Sequence, residues 1–387
     1  MMSATRDAAS VCRALVLVVY GVLPWTGTLG CGDDTAAHRQ LDAALPVGKV
    51  EVDAAVAPTD AQVDASGARD AGFAARLSET GLYRDMASQA LAADVRAFVP
   101  QGVLWSDGAD KQRWVYLPPG SQIDSSKMDD WILPVGTKLW KEFTLAGKRL
   151  ETRLLEKTSK DKWTMVAYGW LPDQSDALAL PDGQDNVAGT THDIPARKLC
   201  GSCHDGVADT AIGFGAILLA HPDAKLTLDQ LVKERRLTVD PKQPLVVPGT
   251  PAEQKALVYL HANCGNCHNE RTFISSVTDV NYKLKHDQLA APTQTNSYRT
   301  IARDLRRFGS AEGSYVIRRM AFRGAQGQMP PIGSEQVDDQ GLSDVRGLVH
   351  AWAGQLGFPI LADAGSPGAD AGPNVGLDGG TVDAGSH

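Results

Sequence analysis

The sequence predicts an α+β protein, with an N-terminal antiparallel β sandwich or barrel-like domain followed by a mainly α-helical region. Three observations support this order. Short apolar segments bounded by turn residues run from about residue 99 to 195, which is typical of antiparallel strands. From about residue 197 the chain changes to short helical patterns and long loops. One five-residue pattern of cysteine and histidine then occurs twice in this second part.

Four segments of the first part are predicted to be strands. Residues 113–117 stop at two prolines and a glycine, and residues 138–145 and 148–156 flank an Ala-Gly pair that suits a tight turn. In residues 162–170, Trp163, Met165 and Ala167 alternate with Thr164, Val166 and Tyr168, so the two sets lie on opposite faces of the predicted strand. This pattern suits a strand that is covered on at least one face. Short turns between consecutive strands predict antiparallel pairing.

Three helices are predicted in the second part. Thr250 and Glu253 form a capping box with proline at the first helical position, so a helix begins there and runs to Cys264. A second helix is expected over 314–323, before a glycine. A third has apolar residues at helical spacing from 342 to 356, followed by a glycine and a proline.

The repeated pattern is the one by which c-type haem is attached covalently. Two thiols three positions apart can add to the two vinyl groups of one porphyrin edge, while the adjoining imidazole reaches the iron. We therefore predict two covalently bound haem c groups and a cytochrome c-like dihaem region. The two runs are Cys200-Gly201-Ser202-Cys203-His204 and Cys264-Gly265-Asn266-Cys267-His268.

Two other functions are possible for paired cysteines at this spacing. Two such pairs could hold one structural zinc ion, or each could be a redox-active dithiol. Zinc knuckles are usually separated by roughly 15–20 residues. Cys203 and Cys264 are about 60 residues apart, and neither alternative requires the histidine that follows each pair. The pattern therefore favours haem.

The second ligand of each iron is less constrained than the first. For the second haem, His268 is the proximal ligand and Met329, in a loop stiffened by two prolines, is the expected distal ligand, with Met320 as the alternative. For the first haem, His204 is proximal, and no methionine lies between it and Cys264. His221 is the first choice there, and an open sixth position is also considered. The other candidates are His192, His261 and Met165.

The N-terminal residues 1–31 are predicted to form a signal peptide with a lipoprotein box. An apolar stretch follows two arginines and is too short for a permanent membrane span. It leads into Thr28-Leu29-Gly30-Cys31, which resembles the box in which cysteine becomes the lipidated first residue. The alternative is a plain secreted protein with a free N-terminal cysteine. We expect location in the cell envelope, in the periplasm or on the outer membrane surface, with attachment to the membrane through Cys31.

Residues 32–75 and 359–387 are predicted to be a disordered acidic linker and a disordered tail. Both repeat Asp-Ala and are poor in aromatic side chains, so neither can bury enough apolar surface to offset its ordering entropy. These segments, together with the single net positive charge of residues 1–31, account for the formal net charge of −8, which leaves residues 76–358 close to neutral. The acidity therefore gives no indication of a nucleic-acid partner.

Several segments of the chain resemble a family of bacterial dihaem c-type cytochromes that join an N-terminal β-rich region to C-terminal haem modules. Besides the two haem motifs, the resemblance depends on these stretches: Leu104-Trp105-Ser106-Asp107-Gly108-Ala109-Asp110-Lys111, Leu150-Glu151-Thr152-Arg153, Tyr168-Gly169-Trp170, Gln174-Ser175-Asp176-Ala177, Tyr259-Leu260-His261-Ala262-Asn263 and Met329-Pro330-Pro331. It spans about residues 99–356 and implies haem binding and electron transfer, but it implies no substrate.

The predicted organisation is a β-rich domain at 76–196, a first haem module at 197–248 and a second at 249–358. The expected function is that of an exported, lipid-anchored electron carrier that meets a redox partner protein in the cell envelope, rather than an enzyme with its own substrate. Two alternatives stay open. One is a peroxidase-like dihaem oxidoreductase with an open or displaceable haem ligand, and the other is a carbohydrate- or polymer-binding β domain with accessory haems.

Overall fold

The computed structural model describes residues 72–324 and 327–359. The predicted signal peptide with Cys31, the linker up to residue 71 and the tail from 360 lie outside the described residues. Residues 72–75, which the sequence assigned to the linker, already have a defined place: Phe73 is buried, and the carbonyl of Ala75 accepts a hydrogen bond from the Ala179 amide. In the described part, no helix has the length and apolarity needed to cross a bilayer.

The β-rich part contains one large sheet and one small one. The six-stranded sheet is an antiparallel meander with strands in chain order, and a separate pair of short strands precedes it. The small pair is β1 (Tyr83–Asp85) and β2 (Ala90–Leu91); the large sheet is β3 (Val95–Ala97), β4 (Asp110–Tyr116), β5 (Lys138–Leu145), β6 (Lys148–Ser159), β7 (Lys162–Trp170) and β8 (Ala177–Ala179).

The strand predictions for the first part are confirmed, and the hairpins explain why. Ala146 and Gly147 join β5 to β6 with φ values of 48° and 79°, the left-handed conformation that a two-residue hairpin turn requires. β5 and β7 have the predicted bounds, and β6 extends three residues beyond its predicted end at Glu156. β4 begins three residues before and ends one residue before its predicted span of 113–117. The mixed α+β class is therefore correct.

The expected sandwich or barrel form differs from what is observed. The edge strands β3 and β8 do not pair with each other in the described structure, so the sheet is open rather than a closed barrel. One side is covered by the N-terminal segment, which contributes Leu77, Leu82 and the two-stranded ribbon rather than a second sheet of similar size. Each strand of the large sheet pairs with its sequence neighbour.

The second part contains short helices separated by long loops. Thr250 and Glu253 form the predicted capping box, and the last helix is capped by the Asp338 side chain. The helices are α1 (Cys200–His204), α2 (Ala216–Leu219), α3 (Leu228–Lys233), α4 (Pro251–Asn263), α5 (Ile274–Val277), α6 (Asn296–Phe308), α7 (Tyr315–Met320) and α8 (Asp339–Gln355).

Two helices differ from the sequence prediction. α7 begins one residue after and ends three residues before the expected span of 314–323, and the Arg323 guanidinium donates to the carbonyls of Met320 and Phe322 beyond its end. α6 was not predicted, although a Thr295 cap begins it and Gly309 ends it at positive φ.

The two sides of the large sheet face different parts of the chain. The side we call the N-terminal side presents Trp114, Trp140 and Tyr168 to the segment before β3. The opposite side, the helical side, presents Val115 and Leu139 to the apolar residues of the second part in one continuous core. The β-rich part and the helical part therefore share a core, which stabilises both.

Candidate haem attachment sites

The first CxxCH motif forms the short helix α1, and its histidine is oriented by the chain that follows. The Nδ1 atom of His204 lies 2.6 Å from the Thr210 carbonyl oxygen. A proton on Nδ1 would be donated to this carbonyl, which leaves Nε2 with its lone pair free for a metal. This is the arrangement that an iron-ligating imidazole needs.

The Thr210 carbonyl is held in place by a buried ion pair with the sheet. Both carboxylate oxygens of Asp209 lie 2.7 and 2.8 Å from the Lys157 Nζ, and Trp163 Nε1 donates to Asp209 at 3.0 Å. The Leu133 amide donates to the same carboxylate at 2.6 Å. Lys157 is only 1% exposed. β6 and β7 thus fix the loop that orients the first histidine.

Burial shifts the protonation equilibria of the histidines and thiols in both motifs. Burial lowers the pKa of His204 and of His268 to about 4, so both imidazoles are neutral near pH 7 and able to ligate iron. Burial also raises the pKa of the thiols, to about 12 for Cys264. A redox-active dithiol has the opposite shift, towards a stabilised thiolate. The same direction holds at Cys200, Cys203 and Cys267.

The second motif follows directly from α4. The Cys264 amide continues the helical pattern by donating to the Leu260 carbonyl, and the His268 amide donates to the Cys264 carbonyl at 2.8 Å. The His268 ring meets the edge of Tyr282 with 5.9 Å between centroids. Its Nδ1 atom is buried and has no hydrogen-bond partner among the described residues. A buried, unpaired ring nitrogen is costly unless another group completes the site.

The two motifs pack against each other. A Cβ atom on Gly206 would lie 2.2 Å from the Asn266 carbonyl oxygen, so only glycine fits between them. The Asn269 amide nitrogen lies 3.1 Å from the Gly206 carbonyl and 2.8 Å from that of Gly265. The charge of Cys203 contributes to the raised pKa of Cys267, after the larger contribution of burial. The fold therefore brings together two motifs separated by about 60 residues in sequence.

Met329 lies on a loop that is tied to the neighbourhood of His268. Its amide donates to the Arg319 carbonyl at 2.9 Å, and the Arg319 guanidinium donates to the Gly327 carbonyl at 3.0 Å. Arg319 is also the charged group that, after burial, lowers the pKa of His268. Met320, the alternative, is 5% exposed and belongs to the apolar core. Met329 as the distal ligand of the second haem stays a prediction.

The segment beginning Leu104-Trp105-Ser106-Asp107 connects the sheet to the second motif. The Trp105 amide donates to Asn263 Oδ1 at 2.7 Å, at the end of α4, and Trp105 Nε1 donates to the Gln336 carbonyl at 3.0 Å. Asp107 accepts from the amides of Glu335 and Gln336. This segment thus holds the end of the Met329 loop, which its sequence did not reveal.

Each histidine proposed as the distal ligand of the first haem already makes a hydrogen bond within the protein. His221 Nε2 lies 2.8 Å from the Val99 carbonyl, which leaves only its Nδ1 for ligation. His192 Nε2 lies 2.8 Å from a Glu151 carboxylate oxygen, and His261 Nδ1 accepts from the Leu284 amide. Met165 lies on the helical side of β7, two residues from Ala167, which is opposite Arg153. The choice of His221 stays a prediction.

The four cysteines do not gather into a zinc site in the described structure. All four are free thiols, and the residues grouped closely enough to hold a metal ion through side chains are Asp129, His286 and Asp287, which lie away from the motifs in sequence. A tetrahedral Cys₄ site requires its ligands to converge on one point. The geometry therefore does not support a shared structural zinc ion.

Comparison with known proteins gave no match: no protein-family model, no curated protein and no solved structure is similar to this chain. The resemblance to dihaem c-type cytochromes therefore depends on the sequence motifs themselves.

Proposed function

We propose that this protein is a dihaem c-type cytochrome, exported and lipid-anchored at Cys31, that carries electrons to or from a redox partner in the cell envelope. The observation that carries the proposal is the pair of CxxCH motifs, packed against each other, each with a neutral imidazole. When bound, the haems would supply reversible one-electron chemistry.

The residues have distinct roles in this function. Cys200 and Cys203, and likewise Cys264 and Cys267, would provide the thiols for thioether formation. His204 and His268 would each bind one haem iron through an imidazole nitrogen. Thr210 orients His204 through its carbonyl. Met329 would supply the second haem with a sulfur ligand, and such a ligand raises the reduction potential.

The haem content of the purified protein tests the proposal. Expressed with c-type maturation machinery, the wild type should contain two haems per chain by pyridine haemochrome and intact mass. The double variants C200S/C203S and C264S/C267S should each retain one haem. Cys31→Ser is the matched control, because it removes a cysteine outside both motifs and should keep two haems while losing the lipid. A colourless protein with the mass of bare polypeptide plus lipid would reject the proposal.

One structural observation favours a second function, a peroxidase-like dihaem oxidoreductase. The histidine candidates for the first haem's distal position already have protein partners, so that position could be open or displaceable. This alternative predicts a five-coordinate haem in the resting or half-reduced protein, together with turnover of peroxide. Two six-coordinate low-spin haems without turnover would reject it.

A further inference from the structure

Three cations lie side by side on the helical side of the sheet. In the strand register, Arg113 of β4 is directly opposite Lys141 of β5, which is directly opposite Arg153 of β6. Directly paired residues have Cβ atoms about 5 Å apart, and like charges in such pairs destabilise a sheet. We call these residues the cation row. A protein that keeps three adjacent cations in this place needs something to compensate them.

The described residues supply too little negative charge for this row. Arg113 is 7% exposed, and in the described structure it forms no ion pair and no side-chain hydrogen bond. Lys141 likewise forms no ion pair with a described residue. Arg153 pairs with Glu151, but that carboxylate also accepts from His192 at 2.8 Å. Three cations therefore face one carboxylate. Burial of an unpaired cation is costly unless an anion reaches it.

Protonation equilibria show the same imbalance. Burial lowers the pKa of Arg113 to about 10. Burial, followed by the charges of Arg113 and Arg153, holds the pKa of Lys141 well below its usual range. Lys111, the next cation along β4, adds to this effect. A bound anion would reverse these shifts, because an opposite charge favours the protonated form.

The row borders the first CxxCH motif and has an aromatic platform. The Phe143 ring lies between two of its members, 4.6 Å from Lys141 Nζ and 4.5 Å from the Arg153 guanidinium carbon. Arg153 acts electrostatically on Cys200 and Cys203, and both Lys141 and Arg153 act on His204. Cations around an apolar ring, next to a cofactor attachment site, form a place for a planar carboxylate or a small oxoanion.

We propose that Arg113, Lys141 and Arg153 bind a carboxylate or oxoanion group beside the first haem attachment site. Two sources share this chemistry: the propionate carboxylates of the haem held by Cys200 and Cys203, and a small diffusible oxoanion. The first source depends on the proposed function, whereas the second requires only the polypeptide. Guanidinium and ammonium groups recognise the same acceptor oxygens in both cases.

The test uses the full-length, haem-loaded protein with Arg113→Met and Lys141→Met, and with Lys162→Met as the matched control on an exposed lysine of β7. Sulfate is titrated at constant ionic strength while the thermal midpoint is followed. If a diffusible oxoanion fills the row, sulfate raises the midpoint saturably, and each row variant weakens the apparent sulfate affinity at least tenfold. Lys141→Arg, which keeps the charge, should behave as wild type.

The second measurement is the reduction potential of the first haem, taken in a C264S/C267S background that retains only that haem. If the haem's own carboxylates fill the row, sulfate has no saturable effect, but both row variants lower this potential and Lys162→Met does not. The proposal is overturned if sulfate has no effect and the row variants match the control in potential. A colourless protein that still binds sulfate through the row would keep this inference and reject only the haem proposal.

Discussion

The two CxxCH motifs have the same residue pattern, yet different parts of the molecule hold their histidines. His204 is oriented by a carbonyl whose loop is fixed to the sheet through Lys157 and Asp209. His268 follows a capped helix, and its Nδ1 lacks an acceptor in the described residues. The first site is thus shaped by the β-rich part, and the second by α4 and the Met329 loop. A shared motif fixes the spacing of the thiols and the histidine but leaves the surroundings of each histidine to the fold.

The sharpest way to separate the two sites is to remove the methionine assigned to only one of them. Met329→Leu should abolish the charge-transfer band between the methionine sulfur and the iron of the second haem, and it should leave the spectrum of the first haem unchanged. Met320→Leu is the control: as a volume-conserving core change it should cost less than about 1.5 kcal/mol and leave the band intact. The absorption spectra of both variants check this. Loss of the band in Met320→Leu instead would exchange the roles of the two methionines.

The next largest effect concerns the ion pair that serves only the first site. Lys157→Met leaves the Asp209 carboxylate buried without its cation, which should lower the free energy of unfolding by about 3–5 kcal/mol. Replacing both partners, in Lys157→Met/Asp209→Leu, should restore much of this loss, because no uncompensated charge stays buried. Denaturant titration of the holoprotein measures both.

The same variant also shows whether the sheet orients the first histidine. The spectrum of the first haem should change in Lys157→Met, because the Thr210 carbonyl loses its support, while that of the second haem should not. Lys162→Met, on an exposed residue of the adjacent strand, should leave stability and both spectra unchanged. Equal perturbation of both haems by Lys157→Met would contradict a role confined to the first site.

The strands and the capped helix were predictable because local residues determine them. Ala146 and Gly147 suit the turn conformation, and Thr250 with Glu253 closes the first turn of α4. The support of the first site was not predictable in this way, since Lys157 and Asp209 are 52 residues apart. In the sequence, Lys157 and Asp209 each have the features of an ordinary surface charge. Only the strand register and the path of the loop bring the two residues together.

The cation row was hidden for a related reason. Arg113, Lys141 and Arg153 belong to three strands, and their alignment depends on the pairing register rather than on any spacing along the chain. The segment containing Glu151 and Arg153 was noted in the sequence only as part of a resemblance. Its place beside the first motif gives that segment a physical role. Sites built across strands therefore need the sheet register, whereas sites built within a pentapeptide do not.

The second site should be more sensitive to acid through the helix that precedes it. Burial, with a smaller contribution from Lys283, lowers the pKa of His261 to about 4, below the ordinary value near 6.5. The unfolded chain therefore binds a proton between pH 6.5 and 4 that the folded chain does not, so stability falls as the pH drops through this window. This contribution is at most about 3 kcal/mol.

The variant that checks this pH dependence is His261→Asn. Its side-chain oxygen can still accept from the Leu284 amide, the bond that His261 Nδ1 makes, but it has no proton to gain. Unfolding free energies measured from pH 7 to pH 4 should therefore decrease less steeply in the variant than in the wild type. Parallel curves for the two proteins would show that another group causes the acid sensitivity.

The smallest expected effect tests the contact that unites the two sites. Gly206→Ala places a Cβ atom 2.2 Å from the Asn266 carbonyl, and because that neighbour is backbone, the two motifs must move apart. We expect a loss of about 1–3 kcal/mol in unfolding free energy, as for other overpacked sites.

Gly347→Ala is the control. A Cβ atom at this position of α8 meets open space, and the substitution removes a flexible glycine from a helix, which should raise the free energy of unfolding by roughly 0.5–1 kcal/mol. Because Gly206 belongs to neither pentapeptide, both haem spectra should shift together in Gly206→Ala; a shift in only one would mean that the motifs are in contact without depending on each other.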